Sequence, residues 1–253
     1  MRTPLLTADI TIPAQEVTLI GDLVMPHKAD ALVLFIHGNG SNRHSWRNLS
    51  VAQQLNEQGL ATLLFDLLTV DENAIDHLRG ELRFNIELLG ARLMAVLEWA
   101  AVAPQCAHLP LGCFGSSTGA AAALIAAAHR PQLVRAVVAR GGRPDLVSDR
   151  DLSQVRAPSL FIVGELDTDV LELNHQAMAT IGAPVQLEIV PAAGHLFEEP
   201  EALPRVAELA GSWLGRHVAG RAPRVRKTRV RQSPKSSASL KRNDEPDYPP
   251  TCC

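Results

Sequence analysis

A serine, an acid and a histidine occur in this chain in an order and at positions suited to nucleophilic acyl transfer. The serine is Ser117, at the centre of Gly115-Ser116-Ser117-Thr118-Gly119. This pentapeptide follows an apolar run at 109–114 and opens an alanine-rich run at 120–128. A G-x-S-x-G sequence between strand and helix forms a sharp turn that exposes the serine, and its glycines relieve crowding against the neighbouring elements. A free hydroxyl is a poor nucleophile near neutral pH and needs a base beside it. Ser116 competes for the role, but only Ser117 sits in the middle of the motif. The non-catalytic alternative is a Ser-Thr helix cap.

The expected base is His195, in Gly194-His195-Leu196-Phe197. Of the nine histidines, it alone combines a loop after the last expected strand with the last place in the order Ser, acid, His. His129 and His175 fall within or beside helical segments, and His217 suits a helix C-terminus as a cation. The acid is Asp167, in Gly164-Glu165-Leu166-Asp167, where it would accept the second imidazole N–H, fix the tautomer and stabilise the imidazolium. Glu165 and Asp169 are rivals, and Asp169 also suits the N-cap of the helix that follows.

Attack on a carbonyl creates an oxyanion, which needs preorganised donors. His37-Gly38-Asn39-Gly40 follows an apolar strand directly. The backbone N–H of Asn39, or of Gly40, together with that of Thr118 is expected to form the hole. A phosphate-binding loop is disfavoured because the Gly-Lys-Ser/Thr of that pattern is missing. Arg43 and His44 follow this loop, and Arg140 and Arg143 follow a later strand. Such cations could hold a substrate carboxylate or phosphate, or could be spent in ion pairs with Asp66 or Asp145. Arg140 is the foremost of them as a substrate-binding residue. The chemistry calls for neither a metal nor a cofactor.

These residues need a scaffold that brings several strand–helix loops to one edge of a sheet. Apolar strand-like runs are found at 17–25, 32–36, 61–65, 111–114, 136–139, 159–163 and 186–190. They alternate with helical patterns at 46–58, 82–103, 119–129, 169–181 and 201–217. The alternation predicts an α/β fold with a mostly parallel central sheet flanked by helices on both faces. The candidate residues then lie in loops beyond the C-terminal strand ends, where such folds bind ligands. The roomy excursions, 67–80 and 141–156, are too short for a large cap domain, which predicts a shallow, open site. No internal repeat is evident.

The composition fits one folded domain over residues 1–217. The 253 residues are 46% hydrophobic and 20% charged, ordinary globular values, and only 4% aromatic, so the core is expected to be aliphatic. The net charge of −3 conceals an asymmetry. Residues 218–253 carry nine Lys/Arg against three Asp/Glu, and the acidic remainder is unsuited to nucleic acid. That basic, Ser- and Pro-rich segment is expected to be a disordered tail, with binding to acidic partners as an alternative role. Its Cys252-Cys253 lacks the context of a lipidation signal. Four cysteines without a Cys-x-x-Cys pair do not suggest a disulfide framework. The start of the chain lacks an apolar signal core, and no apolar run is long enough for a bilayer. A soluble, cytoplasmic protein without a membrane partner is expected. Oligomeric state is not legible.

The chain resembles the dienelactone hydrolase-like group of the α/β-hydrolases over roughly residues 15–217. The resemblance rests on Phe35-Ile36-His37-Gly38-Asn39-Gly40-Ser41-Asn42-Arg43-His44-Ser45, on Ala61-Thr62-Leu63-Leu64-Phe65-Asp66-Leu67-Leu68-Thr69 and on Phe114-Gly115-Ser116-Ser117-Thr118-Gly119-Ala120-Ala121-Ala122. It continues through Arg140-Gly141-Gly142-Arg143-Pro144-Asp145 and His195-Leu196-Phe197-Glu198-Glu199-Pro200. The resemblance implies an α/β-hydrolase fold and a triad at Ser117, Asp167 and His195. Dienelactone hydrolases proper use cysteine at the elbow, whereas this chain has Ser117, with Cys113 set back in the strand. Some relatives are joined to a phosphoribosyltransferase-like domain, a segment not found in these residues. The expected activity is therefore serine-dependent hydrolysis of a small ester, lactone or thioester. An acyltransferase on the same scaffold and a non-catalytic binding protein are the alternatives.

Overall fold

The computed structural model describes residues 5–221, so the expected tail lies outside the described residues from position 222 onward. Within them, packing runs four residues past the expected boundary at 217. Val218 is buried, and Arg221 donates from Nε to Asp30 Oδ2 at 2.7 Å and from Nη1 to the Gln58 carbonyl at 2.7 Å.

Eight strands form one sheet in the order β1-β2-β4-β3-β5-β6-β7-β8. The central strands are β3 (Leu32–Ile36), β4 (Ala61–Phe65), β5 (Leu111–Ser116), β6 (Val134–Arg140) and β7 (Ser159–Gly164). With β8 (Val185–Val190) they run parallel. β3, β4, β5 and β7 are buried at every position, as unbroken apolar runs require when both sheet faces are covered. β1 (Leu5–Ala14) and β2 (Val17–Pro26) form an antiparallel hairpin that joins β4.

Two apolar layers sandwich the sheet. Helices α1 (Trp46–Glu57) and α7 (Ala202–His217) cover Val33, Phe35, Phe114 and Val138 on one face. On the other, α3 (Ile86–Val102), α4 (Thr118–His129) and α5 (Asp149–Gln154) cover Leu34, Cys113 and Val137, and α6 (Thr168–Met178) adds Ala177. Ala120 to Ala123 of α4 are fully buried. Their small side chains let α4 pack closely on the sheet directly behind the Gly115–Gly119 turn.

The structure adds three elements to those expected. β1 alternates exposed Thr7, Asp9 and Thr11 with inward Ile10, Ile12 and Ala14, an edge-strand pattern with too few apolar residues to stand out. α2 (Val70–Arg79) occupies the expected loop at 67–80. It is set by a capping box, in which the Glu72 N–H donates to Thr69 Oγ1 and the Thr69 N–H to Glu72 Oε2, and by left-handed Gly80 at its end. α5 starts at Ser148, whose hydroxyl accepts the Asp151 N–H. The helical pattern at 82–103 divides at Asn85, which caps α3 through the Leu88 N–H after a short 3-10 turn at Leu82–Phe84. Among the described residues, no helix is long and apolar enough to cross a membrane.

Candidate active site

Ser117 sits between β5 and α4 with φ 50° and ψ −120°, a left-handed conformation for a residue with a side chain. Such a backbone costs about 1–3 kcal/mol and persists only where its surroundings fix it. Here the Ser117 N–H donates to the Arg140 carbonyl at 3.1 Å, and its carbonyl accepts the Arg143 N–H at 3.2 Å. The side chain makes no capping bond to α4, so the helix-cap alternative does not describe it. A Cβ on Gly119 would stand 2.3 Å from the Ile36 carbonyl oxygen, and one on Gly115 would stand 2.5 Å from Ala120 Cα. Neither distance is tolerable, so the elbow requires glycine at both places. Ser116 points elsewhere: it is buried and donates its hydroxyl to Asn48 Oδ1 of α1 at 3.1 Å.

His195 Nδ1 and Asp167 Oδ2 are 2.6 Å apart, a short charge-assisted hydrogen bond that leaves Nε2 as the free ring nitrogen. Asp167 occupies the N-cap position of α6 but turns its carboxylate to the imidazole instead of capping the helix. The expected cap, Asp169, lies inside the first turn and is exposed, and Glu165 accepts the Ala192 N–H at 2.8 Å within its own loop. The histidine loop is pinned from behind, since the Gly194 N–H donates to Glu199 Oε1 at 2.9 Å and Phe197 is fully buried at φ 55°. A Cβ on Gly141 would lie 3.3 Å from His195 Cε1. Gly141 follows the residue whose carbonyl anchors Ser117, so the end of β6 borders both the elbow and the imidazole.

The loop expected to form the oxyanion hole lies against the elbow, and a Cβ on Gly38 would come within 3.0 Å of Ser117 Cβ. The Thr118 N–H has no partner among the described residues. The Asn39 N–H, by contrast, donates to Thr118 Oγ1 at 2.8 Å. His37 Nε2 accepts the Leu67 N–H at 3.2 Å, and burial lowers the His37 pKa, so the ring is neutral and ties the loop to the end of β4. A cavity of about 380 Å³ adjoins this loop, lined by Gly38, Asn39 and Thr118 on one side and by Val70, Ala74 and His77 of α2 on the other. α2 is not legible as a wall from the sequence because its apolar residues, Val70, Ile75 and Leu78, are exposed instead of core-facing. The capping box was the available signal.

The four candidate cations have different fates. Arg43 is held between two carboxylates, with Nη1 on Asp66 and Nε 3.3 Å from Asp22 Oδ2, and its backbone N–H also donates to Asp66. These contacts staple the loop, so the ion-pair alternative describes Arg43. His44 is 59% exposed and 3.8 Å from Asp22, and neither His44 nor Arg140 lines the cavity beside the 37–40 loop. Arg143 pairs with Asp145 through two hydrogen bonds. Arg140 differs: it is 7% exposed, its Nη1 is buried without a partner, and no carboxylate pairs with it among the described residues. Its guanidinium lies 5.9 Å from the Phe114 ring centroid, and burial followed by nearby Arg47 lowers its pKa to about 10. It is still charged at neutral pH. Arg47 beside Arg140, Asn48 on Ser116 and Glu199 behind the histidine loop have no sequence signal, since nothing in their spacing separates them from ordinary helix and loop residues.

Cys113 lies in β5 within the core, where burial pushes its thiol up to about 12, so it is no nucleophile near neutral pH. Among the described residues, no group of three or more His, Cys, Asp or Glu is placed to hold a metal ion.

Residues 31–161 match the α/β hydrolase fold family. A dienelactone hydrolase from Anabaena variabilis is 47% identical, superposes with a TM-score of 0.83, and the match covers 85% of this chain and 99% of that one. The esterase Est1E from Butyrivibrio proteoclasticus, 17% identical, shares the fold with a TM-score of 0.68 over 81% of this chain and 97% of its own. A Mycobacterium tuberculosis protein provisionally named a phosphoribosyl transferase is 50% identical over 220 residues, which is 87% of this chain and 48% of that protein. The chain thus spans about half the length of that relative.

Proposed function

The chain belongs to the α/β-hydrolase family, in its dienelactone hydrolase-like branch, and from that membership we propose that it is a serine hydrolase of small carboxylic esters, lactones or thioesters. The observation that carries this reading is Ser117, held at φ 50° on the elbow with its hydroxyl uncommitted, in a site where Asp167 already holds His195 by Nδ1. In the proposed mechanism Ser117 Oγ attacks the carbonyl carbon while His195 Nε2 takes its proton. Asp167 fixes the tautomer that leaves Nε2 as the base and stabilises the imidazolium. The tetrahedral intermediate collapses, the leaving group takes the proton back from His195, and water resolves the acyl-enzyme by the same steps. The cavity beside the oxyanion loop suits a small substrate group, and its one arginine, Arg83, is spent on Asp76. A panel of p-nitrophenyl esters tests the reading. A burst of one nitrophenol per protein before steady turnover is expected, and the absence of turnover from every ester, lactone and thioester would overturn it.

Arg140 gives this reading a substrate preference. An unpaired buried guanidinium is costly, and a substrate carboxylate would satisfy it through charge-assisted hydrogen bonds. Arg140→Ala is expected to raise KM for a p-nitrophenyl hemiester of a dicarboxylic acid roughly 10-fold or more, as loss of a charged hydrogen bond implies. KM for a neutral ester of similar length should change less than about twofold on the same reasoning. Equal rises for both substrates would contradict the assignment.

A further inference from the structure

The amide expected to stabilise the oxyanion is already engaged, and the group engaging it is a hydroxyl with a proton to spare. The Asn39 N–H donates to Thr118 Oγ1 at 2.8 Å. A threonine hydroxyl has one donor and two acceptor sites, so accepting from Asn39 directs its own proton away from that amide. That proton finds no acceptor among the described residues, although Thr118 is only 4% exposed. A buried donor left unmade is costly, and those that persist call for an explanation. Thr118 also sits in the first turn of α4 without bonding back to an upstream carbonyl, the usual refuge of a helical threonine.

Three features bear on where that proton could be used. Thr118 directly follows Ser117, its own backbone N–H is unpartnered, and both Thr118 and Asn39 line the cavity beside the elbow. We propose that the Thr118 side-chain hydroxyl is an oxyanion donor, with the Thr118 N–H as the second donor and the Asn39 N–H standing behind the hydroxyl. The hole is then a hydrogen-bond chain, Asn39 N–H to Oγ1 and Oγ1–H to the substrate oxygen. The amide polarises the hydroxyl and fixes its direction before charge develops. This assignment rests on Ser117 being the nucleophile. As Ser117 Oγ bonds to the carbonyl carbon, the π pair moves onto the carbonyl oxygen and the serine proton passes to His195. The Thr118 proton stays on Oγ1 throughout, and its hydrogen bond tightens on the developing alkoxide. When the intermediate collapses, the pair returns to re-form the carbonyl, and the leaving group departs with the proton from His195.

The test compares Thr118→Val, which keeps the shape and β-branching without the hydroxyl, with Thr118→Ser, which keeps the hydroxyl. In hydrolysis of a p-nitrophenyl ester, Thr118→Val is expected to lower kcat about 100-fold, as for loss of one oxyanion donor, with KM little changed. Thr118→Ser is expected to retain most of the activity. A trifluoromethyl ketone, whose serine adduct carries an oxyanion, should bind Thr118→Val more weakly by a comparable factor. Thermal melting confirms that each variant is folded, and Thr118→Ala serves in place of valine if the latter does not fold. A valine variant with wild-type kcat, or a serine variant as impaired as the valine one, overturns the proposal. In either case a turning-over wild-type protein leaves the serine-hydrolase reading standing, whereas a wild-type protein inert towards every ester defeats both.

Discussion

Ser117→Ala is expected to lower kcat for ester hydrolysis by about 10⁶-fold, the loss seen when the nucleophile of a triad is removed. The melting temperature should barely move. The Ser117 side chain makes no capping bond, so alanine loses no hydrogen bond that holds the fold. Its backbone also stays at φ 50°, because the bonds from Arg140 and Arg143 that hold it there are made to the main chain. Ser116→Ala should behave in the opposite way. It removes a buried hydroxyl bonded to Asn48 and strands that amide oxygen, costing about 1–3 kcal/mol of stability. The chemical step should survive. Comparison of kcat and melting temperature for the two alanine variants therefore assigns the nucleophile between adjacent serines. A large kcat loss in Ser116→Ala with an active Ser117→Ala would reverse the assignment.

Asp167→Asn carries the second large effect, a fall in kcat of about 10⁴-fold. The carboxylate accepts from His195 Nδ1 at 2.6 Å. An amide at that position can offer N–H instead, which favours the tautomer with the proton on Nε2 and removes the base from the side where the serine must be deprotonated. Asp169→Asn and Glu165→Gln should each leave kcat within a few fold. Asp169 is exposed in the first turn of α6, and Glu165 is occupied with Ala192. Kinetics of the three variants on one ester decide among the three acids, and a loss in Asp169→Asn as large as that expected for Asp167→Asn would contradict the geometry.

What could be read from the residues, and what could not, divides along physical lines. The central strands and α4 were legible because burial on both sheet faces demands unbroken apolar runs and because the elbow needs glycine where backbones nearly touch, as at Gly119 against Ile36. α2 does not stand out as a helix in the sequence, since its apolar residues face outward and its one buried side chain is Asp76. Only the Thr69–Glu72 box marks its start. The chain order of Ser117, Asp167 and His195 is legible from motif and position, but the N-cap position of α6, expected at Asp169, falls on Asp167, whose side chain does not cap the helix, a shift of two residues that periodicity cannot resolve. The fates of the arginines were beyond sequence altogether. Arg43 and Arg140 occupy similar loops in the reading of the chain, yet one is clamped by Asp66 and Asp22 while the other is buried with no carboxylate beside it. Pairing depends on which carboxylates the tertiary fold brings near, and composition does not carry that information. The Thr118 hydroxyl was invisible for the same reason, because its partner, Asn39, lies 79 residues away.

The position that separates this chain from cysteine-using dienelactone hydrolases also bears on its chemistry. The cysteine nearest the elbow, Cys113, is in the core with its thiol raised to about 12, so the nucleophile proposed at the turn is the Ser117 hydroxyl. A hydroxyl depends on its neighbouring base more than a thiol does, which makes the Asp167–His195 bond indispensable to the account.

The central claim, an activated Ser117, is tested most directly by exposing the folded protein to a fluorophosphonate and locating the adduct by peptide mass spectrometry. The account predicts a single stoichiometric adduct on Ser117 that disappears in His195→Ala. A folded wild-type protein that takes no adduct, or one labelled equally with and without His195, would contradict it.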